Sequence, residues 1–157
     1  MTSTPTPPTA PHIAAVQLRG GGGPIWASLY SPPSANSGTA DPPLLVFLAS
    51  DSDTGEIDAQ CRQICVRCGL VILARSMSTE YEQALTTARE MAGWAADHAA
   101  ELEADPDRLF VAGTGVGADL ATEVTRLAAE EGWPVLALLD LTPTLGEAAD
   151  ANPCLRP

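Results

Sequence analysis

Leu44 to Ala49 reads LLVFLA, six apolar residues with no polar break. A strand with one face in water alternates apolar and polar residues. A run that is apolar throughout has both faces covered and suits a central parallel strand. Leu70 to Ala74 (LVILA), Leu109 to Ala112 (LFVA) and Val135 to Leu139 (VLALL) have the same character. Helical segments lie between these runs. Glu56 to Gly69 predicts a helix, with Gly69 placed to end it. Tyr81 to Leu102 predicts a longer one, with Leu85, Ala88, Ala92, Ala95, Ala99 and Leu102 on one buried stripe. Asp105-Pro106-Asp107 predicts a turn. Gly113 to Gly117 is a glycine loop, and Ala118 to Glu131 predicts a third helix. Parallel strands need long crossovers, so the alternation of strand and helix implies a mostly parallel sheet with helices on its faces.

Two further strands precede this pattern. His12 to Leu18 and Ile25 to Tyr30 flank the glycines 20 to 23. A phosphate cradle would need a helix N-terminus after the glycines. Pro24 and a β-prone run follow instead, which predicts a hairpin turn. The fold expected is therefore α/β: three layers αβα, a mostly parallel sheet with an antiparallel N-terminal edge hairpin, about six strands and three helices. Residues 1–11, rich in Pro and Thr, are expected to be a flexible arm. Residues 12–140 form the domain and 141–157 an irregular tail.

Composition excludes several partners. The 157 residues carry a net charge of −12, which repels phosphate backbones and anionic lipid, so neither nucleic acid nor a membrane surface is an expected partner. Hydrophobic residues make up 45%, enough for a folded core. No apolar stretch reaches the ~18 residues of a membrane span. Met1 to Pro11 has neither a basic nor an apolar segment of the secretory kind, so the expected location is cytoplasmic. Cys61, Cys65, Cys68 and Cys154 are then expected to be free thiols.

Several segments together resemble the hormone-sensitive-lipase branch of the α/β-hydrolases. Gly23-Pro24-Ile25 leading to Leu29-Tyr30-Ser31-Pro32 is similar to that family's second strand. Pro43 to Phe47 is similar to its third. Gly55-Glu56-Ile57-Asp58 and Cys61-Arg62 resemble its first helix. Ala84-Leu85 through Trp94 to Leu102 resembles its long second helix, and Asp105-Pro106-Asp107-Arg108-Leu109 resembles the approach to its nucleophile strand. The resemblance covers about Val16 to Leu139. It implies an esterase-like fold of which this chain carries an incomplete version.

The chemistry that the resemblance implies is missing residue by residue. The family nucleophile is the Ser of Gly-x-Ser-x-Gly, on a tight strand-to-helix turn. Here that elbow reads Gly113-Thr114-Gly115-Val116-Gly117, with Gly115 where the serine belongs. Thr114 has a hydroxyl but stands one residue early. The family's oxyanion loop, His-Gly-Gly-Gly, offers bare backbone amides to a developing oxyanion. Here the region reads Ala49-Ser50-Asp51-Ser52-Asp53, whose carboxylates would oppose that charge. The family's acid and base follow the nucleophile. This chain's histidines, His12 and His98, both precede the elbow, and His98 is expected on a helix, facing solvent.

Other constellations carry blander readings. Cys61, Cys65 and Cys68 share one helix face and, with Cys154, could make a thiolate site. Ligands along one helix converge poorly on a tetrahedral metal, so packing against the sheet is expected and no metal. Asp51, Asp53, Glu56 and Asp58 could hold a cation but lack the calcium-loop pattern, so solvated charges near a helix N-terminus are expected. Gly113-x-Gly115-x-Gly117 is one residue short of a dinucleotide fingerprint and lies late in the chain. No cofactor is expected. The leading expectation is a catalytically inactive pseudo-hydrolase that acts as a binding or interaction module. An active carboxylester hydrolase is one alternative, and an anion or nucleotide binder at Gly113–Gly117 is another. Association with a protein partner or a second copy is expected through the last strand, which is apolar and uncharged.

Overall fold

The structure, a computed structural model, describes residues 11–20, 23–32, 41–49, 54–78, 80–132 and 136–138. The elements in order are β1 (His12–Gly20), β2 (Gly23–Ser31), β3 (Leu44–Ala49), α1 (Thr54–Cys68), β4 (Val71–Ser76), α2 (Tyr81–His98), β5 (Leu109–Gly113), α3 (Val116–Glu131) and β6 (Leu136–Leu138). They form one six-stranded sheet of order β1-β2-β4-β3-β5-β6. β3 pairs in parallel with both β4 and β5, and β5 with β6. The β1–β2 hairpin adds an antiparallel edge, with Gly20 opposite Gly23 and β2 antiparallel to β4. This is the α/β arrangement expected from the sequence. The arm, the tail, Ser50 to Asp53 and Cys154 lie outside the described residues.

β3 is central, and all six of its residues are buried. Its side chains alternate between two cores. Leu44, Val46 and Leu48 join Val71, Leu73, Val111 and the buried faces of α2 and α3. Leu45 and Phe47 join Tyr30, Ile72 and the α1 residues Cys61, Ile64 and Cys65. The unbroken apolar run follows directly: with helices on both sides, no residue of β3 reaches water. Each such side chain contributes roughly 1.5–3 kcal/mol by its burial.

Helix ends depart from expectation in explicable ways. α1 stops at Cys68, and Gly69 takes the left-handed φ of 67° while its N–H bonds the Cys65 carbonyl. That is the predicted glycine stop. α2 ends at His98, one turn before the predicted Leu102. The Leu102 N–H bonds the carbonyls of His98 and Ala99, and Glu103 takes a φ of 60° in the turn that follows. Leu102 still packs on the core, which is why its place on the apolar stripe misled the boundary. α1 and α3 each begin two residues earlier than predicted, at Thr54 and Val116. The Asp105 turn is as expected: its Oδ1 accepts the Asp107 N–H at 2.9 Å.

α1 is tied to the hairpin by a polar contact. The Tyr30 hydroxyl donates to Asp58 Oδ1 at 2.7 Å, and Arg62 Nε donates to Asp58 Oδ2 at 2.7 Å. The hydrogen bonds from Arg62 and then Tyr30 hold the Asp58 carboxyl below its ordinary range, and burial with the Asp58 bond raises the Tyr30 phenol. Cys61 and Cys65 are free and buried, packed as small apolar residues. The free-thiol expectation is corrected at Cys68, which is disulfide-bonded.

Burial pushes the thiols of both Cys61 and Cys65 up to about 12, from an ordinary 9.0; for Cys61 the charges of Asp58 and Cys65 add to it. A raised folded pKa favours the neutral thiol in the fold. Its contribution is complete below pH 9 and is lost as the pH climbs from there, because the unfolded chain ionises first. Urea midpoints should therefore be level between about pH 7 and 8.5 and fall above pH 9. In a Cys61→Ala/Cys65→Ala variant, less stable throughout, the decline between pH 9 and 10 should flatten. An identical decline in the variant would contradict this assignment.

Candidate functional site

The sequence placed the candidate site where β5 turns into α3. The turn is very short: β5 ends at Gly113 and α3 begins at Val116. The Thr114 N–H bonds the Leu48 carbonyl at 3.1 Å, which pins the turn to the end of β3. The Gly117 N–H bonds the Thr114 carbonyl at 2.8 Å, and the Ala118 N–H bonds the Gly115 carbonyl at 3.0 Å. Two of the first helical amides are thus taken by the turn itself.

The three glycines have different reasons. A methyl on Gly113 would collide with the Gly117 carbonyl and lie 2.6 Å from the Leu48 oxygen. One on Gly117 would overlap the Leu48 carbonyl, with its carbon 2.7 Å away. These two glycines let β5, α3 and β3 meet backbone to backbone. Gly115 is exposed and stands at φ 58°, ψ −129°. This is a strained conformation for a residue with a side chain, and glycine adopts it freely. The nucleophile elbow is such a strained turn, which lifts its apex residue above the sheet. The backbone gesture is complete here and presents no side chain.

Nothing described supplies the rest of a triad. His12 is exposed on β1, four strands from β5 in the sheet order, or about 19 Å at the usual strand spacing. His98 ends α2, which starts from the elbow side of the sheet after β4 and runs back about 27 Å to the opposite side. It is not solvent-facing as expected. It is half-buried, its ring stacks on Trp94 at 4.3 Å, and its Nδ1 lies 2.8 Å from the Trp94 carbonyl. Ala49 closes β3, buried, with its carbonyl accepting the Met77 N–H at 2.8 Å. Ser50, Asp51, Ser52 and Asp53, which complete the degenerate oxyanion loop, lie outside the described residues.

The remaining candidates that lie among the described residues resolve into structure. The Gly113 and Gly117 gaps are filled by the Leu48 carbonyl, so they leave no room for a phosphate to approach. Asp119 stands in the first turn of α3 and complements the helix dipole that an anion would use. Asp58, one of the four acids considered for a cation, is engaged by Arg62 and Tyr30. Among the described residues no three His, Cys, Asp or Glu side chains converge on a common point. No described helix is long and apolar enough to cross a membrane. The Tyr30–Asp58 bond was missed in the sequence. Its one visible sign was Asp58 and Arg62 at i,i+4, a pair that leaves the second carboxylate oxygen for a neighbouring strand.

Comparison with known proteins agrees with this geometry. The family model for the alpha/beta hydrolase fold matches residues 46–154. The chain belongs to that family. It is 27% identical over 166 residues to the esterase LipI of Mycobacterium tuberculosis, a match that covers 94% of this chain and 52% of LipI. A hyperthermophilic esterase from the archaeon Pyrobaculum calidifontis superposes with a TM-score of 0.69 at 25% identity, covering 78% of this chain and 41% of that one. The thermostable carboxylesterase EstE1, cloned from a metagenomic library, does so at 0.70 and 26%, covering 81% and 46%. The resemblance to lipase-like esterases read from the sequence is borne out. The chain spans about half the length of the curated relative it matches.

If Gly117 is fixed by contact and Gly115 by conformation, their alanine variants should differ. Gly117→Ala should cost at least about 3 kcal/mol, because the colliding atom is backbone and cannot move aside. Gly115→Ala should cost about 1–3 kcal/mol, the strain of an unfavourable φ. Denaturant unfolding measures both. A Gly117→Ala protein as stable as the parent would contradict the packing at the elbow.

Proposed function

We propose that this chain is a non-catalytic member of the α/β-hydrolase family that works by binding. The observation that carries the reading is Gly115 at the apex of an intact elbow, at φ 58°. Acyl transfer of the esterase kind needs an oxygen nucleophile at that apex and a base within hydrogen-bond reach of it. The apex has no side chain, and neither His12 nor His98 is near. The relatives named above, all esterases, favour the competing reading of a working carboxylester hydrolase. That reading needs another nucleophile, and the Thr114 hydroxyl is the candidate beside the apex. An anion or nucleotide binder at the Gly113–Gly117 loop is the weakest of the three, because the loop's close approaches are used within the protein.

Hydrolysis of p-nitrophenyl butyrate should not exceed that of a heat-denatured control. Turnover above that control, lost on Thr114→Ala, would establish the competing reading. Gly115→Ser should not restore activity, since a serine hydroxyl without a base stays protonated and weakly nucleophilic.

The same reading extends to a protein partner. β6 lies at the end of the sheet and, among the described residues, pairs with β5 alone. An apolar edge strand attracts another strand unless it is covered. We propose association through this edge, with a second copy or another protein. Sedimentation across a wide concentration range should show a species larger than the 16.3 kDa monomer. A monomer at every concentration would contradict self-association through this edge.

A further inference from the structure

The two faces of the β1–β2 hairpin differ. Leu18, Ile25 and Ala27 point into the core that α2 and α3 cover. Ile13 and Tyr30 point the other way, into the core that α1 covers. Side chains alternate along a strand, so Ala15, Gln17, Trp26 and Ser28 share the face of Tyr30. Ala74 belongs to that face too, and Ser76, two residues further along β4, stands with it. Trp26 is 55% exposed there, and Gln17, directly opposite it in the ladder, is also exposed.

A hollow opens beside Trp26 on this face. The ladder between β2 and β4 stops at the pair Ser28–Ala74. Beyond it, β2 stays with β1 to Gly23 and β4 stays with β3 to Ser76, so the two strands part. Arg75 starts from the opposite face, and its Nη1 donates to the Trp26 carbonyl at 2.6 Å, which bridges the gap from behind. In front lies a hollow of about 390 Å³, with Ala15, Trp26, Ser28, Ala74 and Ser76 as its side-chain lining on this face. A second hollow of about 340 Å³ lies toward the hairpin turn, where Gln17, Arg19 and Pro24 continue the same face. The Trp26–Gln17 pair stands between the two. Each volume is at the lower end of the ~300–1,000 Å³ typical of small-molecule sites.

The chemistry of this strip selects a ligand. It is polar without being acidic: β1, β2 and β4 contain no Asp or Glu, in a chain that carries 20. Gln17, Ser28 and Ser76 can each donate and accept hydrogen bonds, and among the described residues their side chains have no protein partner. The matching ligand is uncharged, with an apolar face for the indole and hydroxyls around its rim. A pyranose with equatorial hydroxyls has that form, because C–H bonds cover both of its faces. The negative face of the indole attracts those C–H bonds. The chain's net charge of −12 repels anions and leaves a neutral sugar unaffected. Two hollows in line suit more than one ring. We propose that this face of the hairpin binds a neutral β-linked gluco-oligosaccharide, with one ring stacked on Trp26 and hydroxyls held by Gln17, Ser28 and Ser76. The proposal is independent of whether the elbow is catalytic.

The test is titration of the full chain with cellotetraose, a linear β-linked glucose tetramer, followed by ¹H–¹⁵N spectra. Saturable binding is expected, with shifts at the Trp26 indole, the Gln17 side-chain amide, Ser28 and Ser76. Trp26→Ala should lose at least about tenfold in affinity, and Trp26→Phe, which keeps an aromatic face, should lose less. Gln17→Ala should lose about fivefold, the worth of one hydrogen bond. Benzyl alcohol, which has an apolar face and a single hydroxyl, should bind at least about tenfold more weakly than cellotetraose, because it leaves most of the rim unpaired. If Trp26→Ala fails to fold, the shift map and the benzyl alcohol comparison on the unaltered protein decide. Absence of saturable binding, shifts that spare Trp26 and Gln17, an unchanged affinity in Trp26→Ala, or tighter binding of benzyl alcohol would each overturn the proposal.

Discussion

The contact on which this molecule depends is the meeting of three backbones at the Leu48 carbonyl. Gly113 and Gly117 leave it the space that side chains would fill, and the Thr114 N–H bonds to it. That junction fixes where α3 starts, how closely α3 lies on the sheet, and the register in which β5 runs beside β3. It also forces the chain through Thr114 and Gly115 with no slack. The elbow is therefore a packing solution before it is a catalytic device. Its flanking glycines answer to the β3 backbone, so its geometry does not depend on a side chain at Gly115.

Glycine at the apex follows from the same constraint. In an enzyme, a serine there bears the strain of a positive φ because its hydroxyl is needed. Glycine at Gly115 adopts the same backbone without that strain. Several charged and reactive groups among the described residues have ordinary structural reasons. Cys61 and Cys65 fill the floor beneath α1, Asp58 ties that helix to Tyr30, and His98 lies against Trp94. Each could be mistaken for part of a site in the sequence, and each is occupied by a structural neighbour.

Much of this fold was legible in the residues because burial on two faces leaves a plain mark. The run at Leu44–Ala49 suited a central strand covered on both faces, and Gly69 and Gly113 to Gly117 announced the ends of elements. The elbow was legible because its glycines are sterically required. Features made by tertiary contact were not legible. The end of α2 at His98 was hidden because Leu102 keeps its apolar place after the helix has stopped. The Tyr30–Asp58 bond joins residues distant in sequence.

The central claim is that the elbow keeps its backbone without a reactive oxygen. The most direct measurement is intact-mass analysis of the unaltered protein after incubation with a fluorophosphonate ester, which phosphonylates activated hydroxyls at esterase elbows. The account predicts an unchanged mass after prolonged exposure. A stoichiometric adduct mapped to Thr114 would show an activated hydroxyl at the elbow and would contradict it.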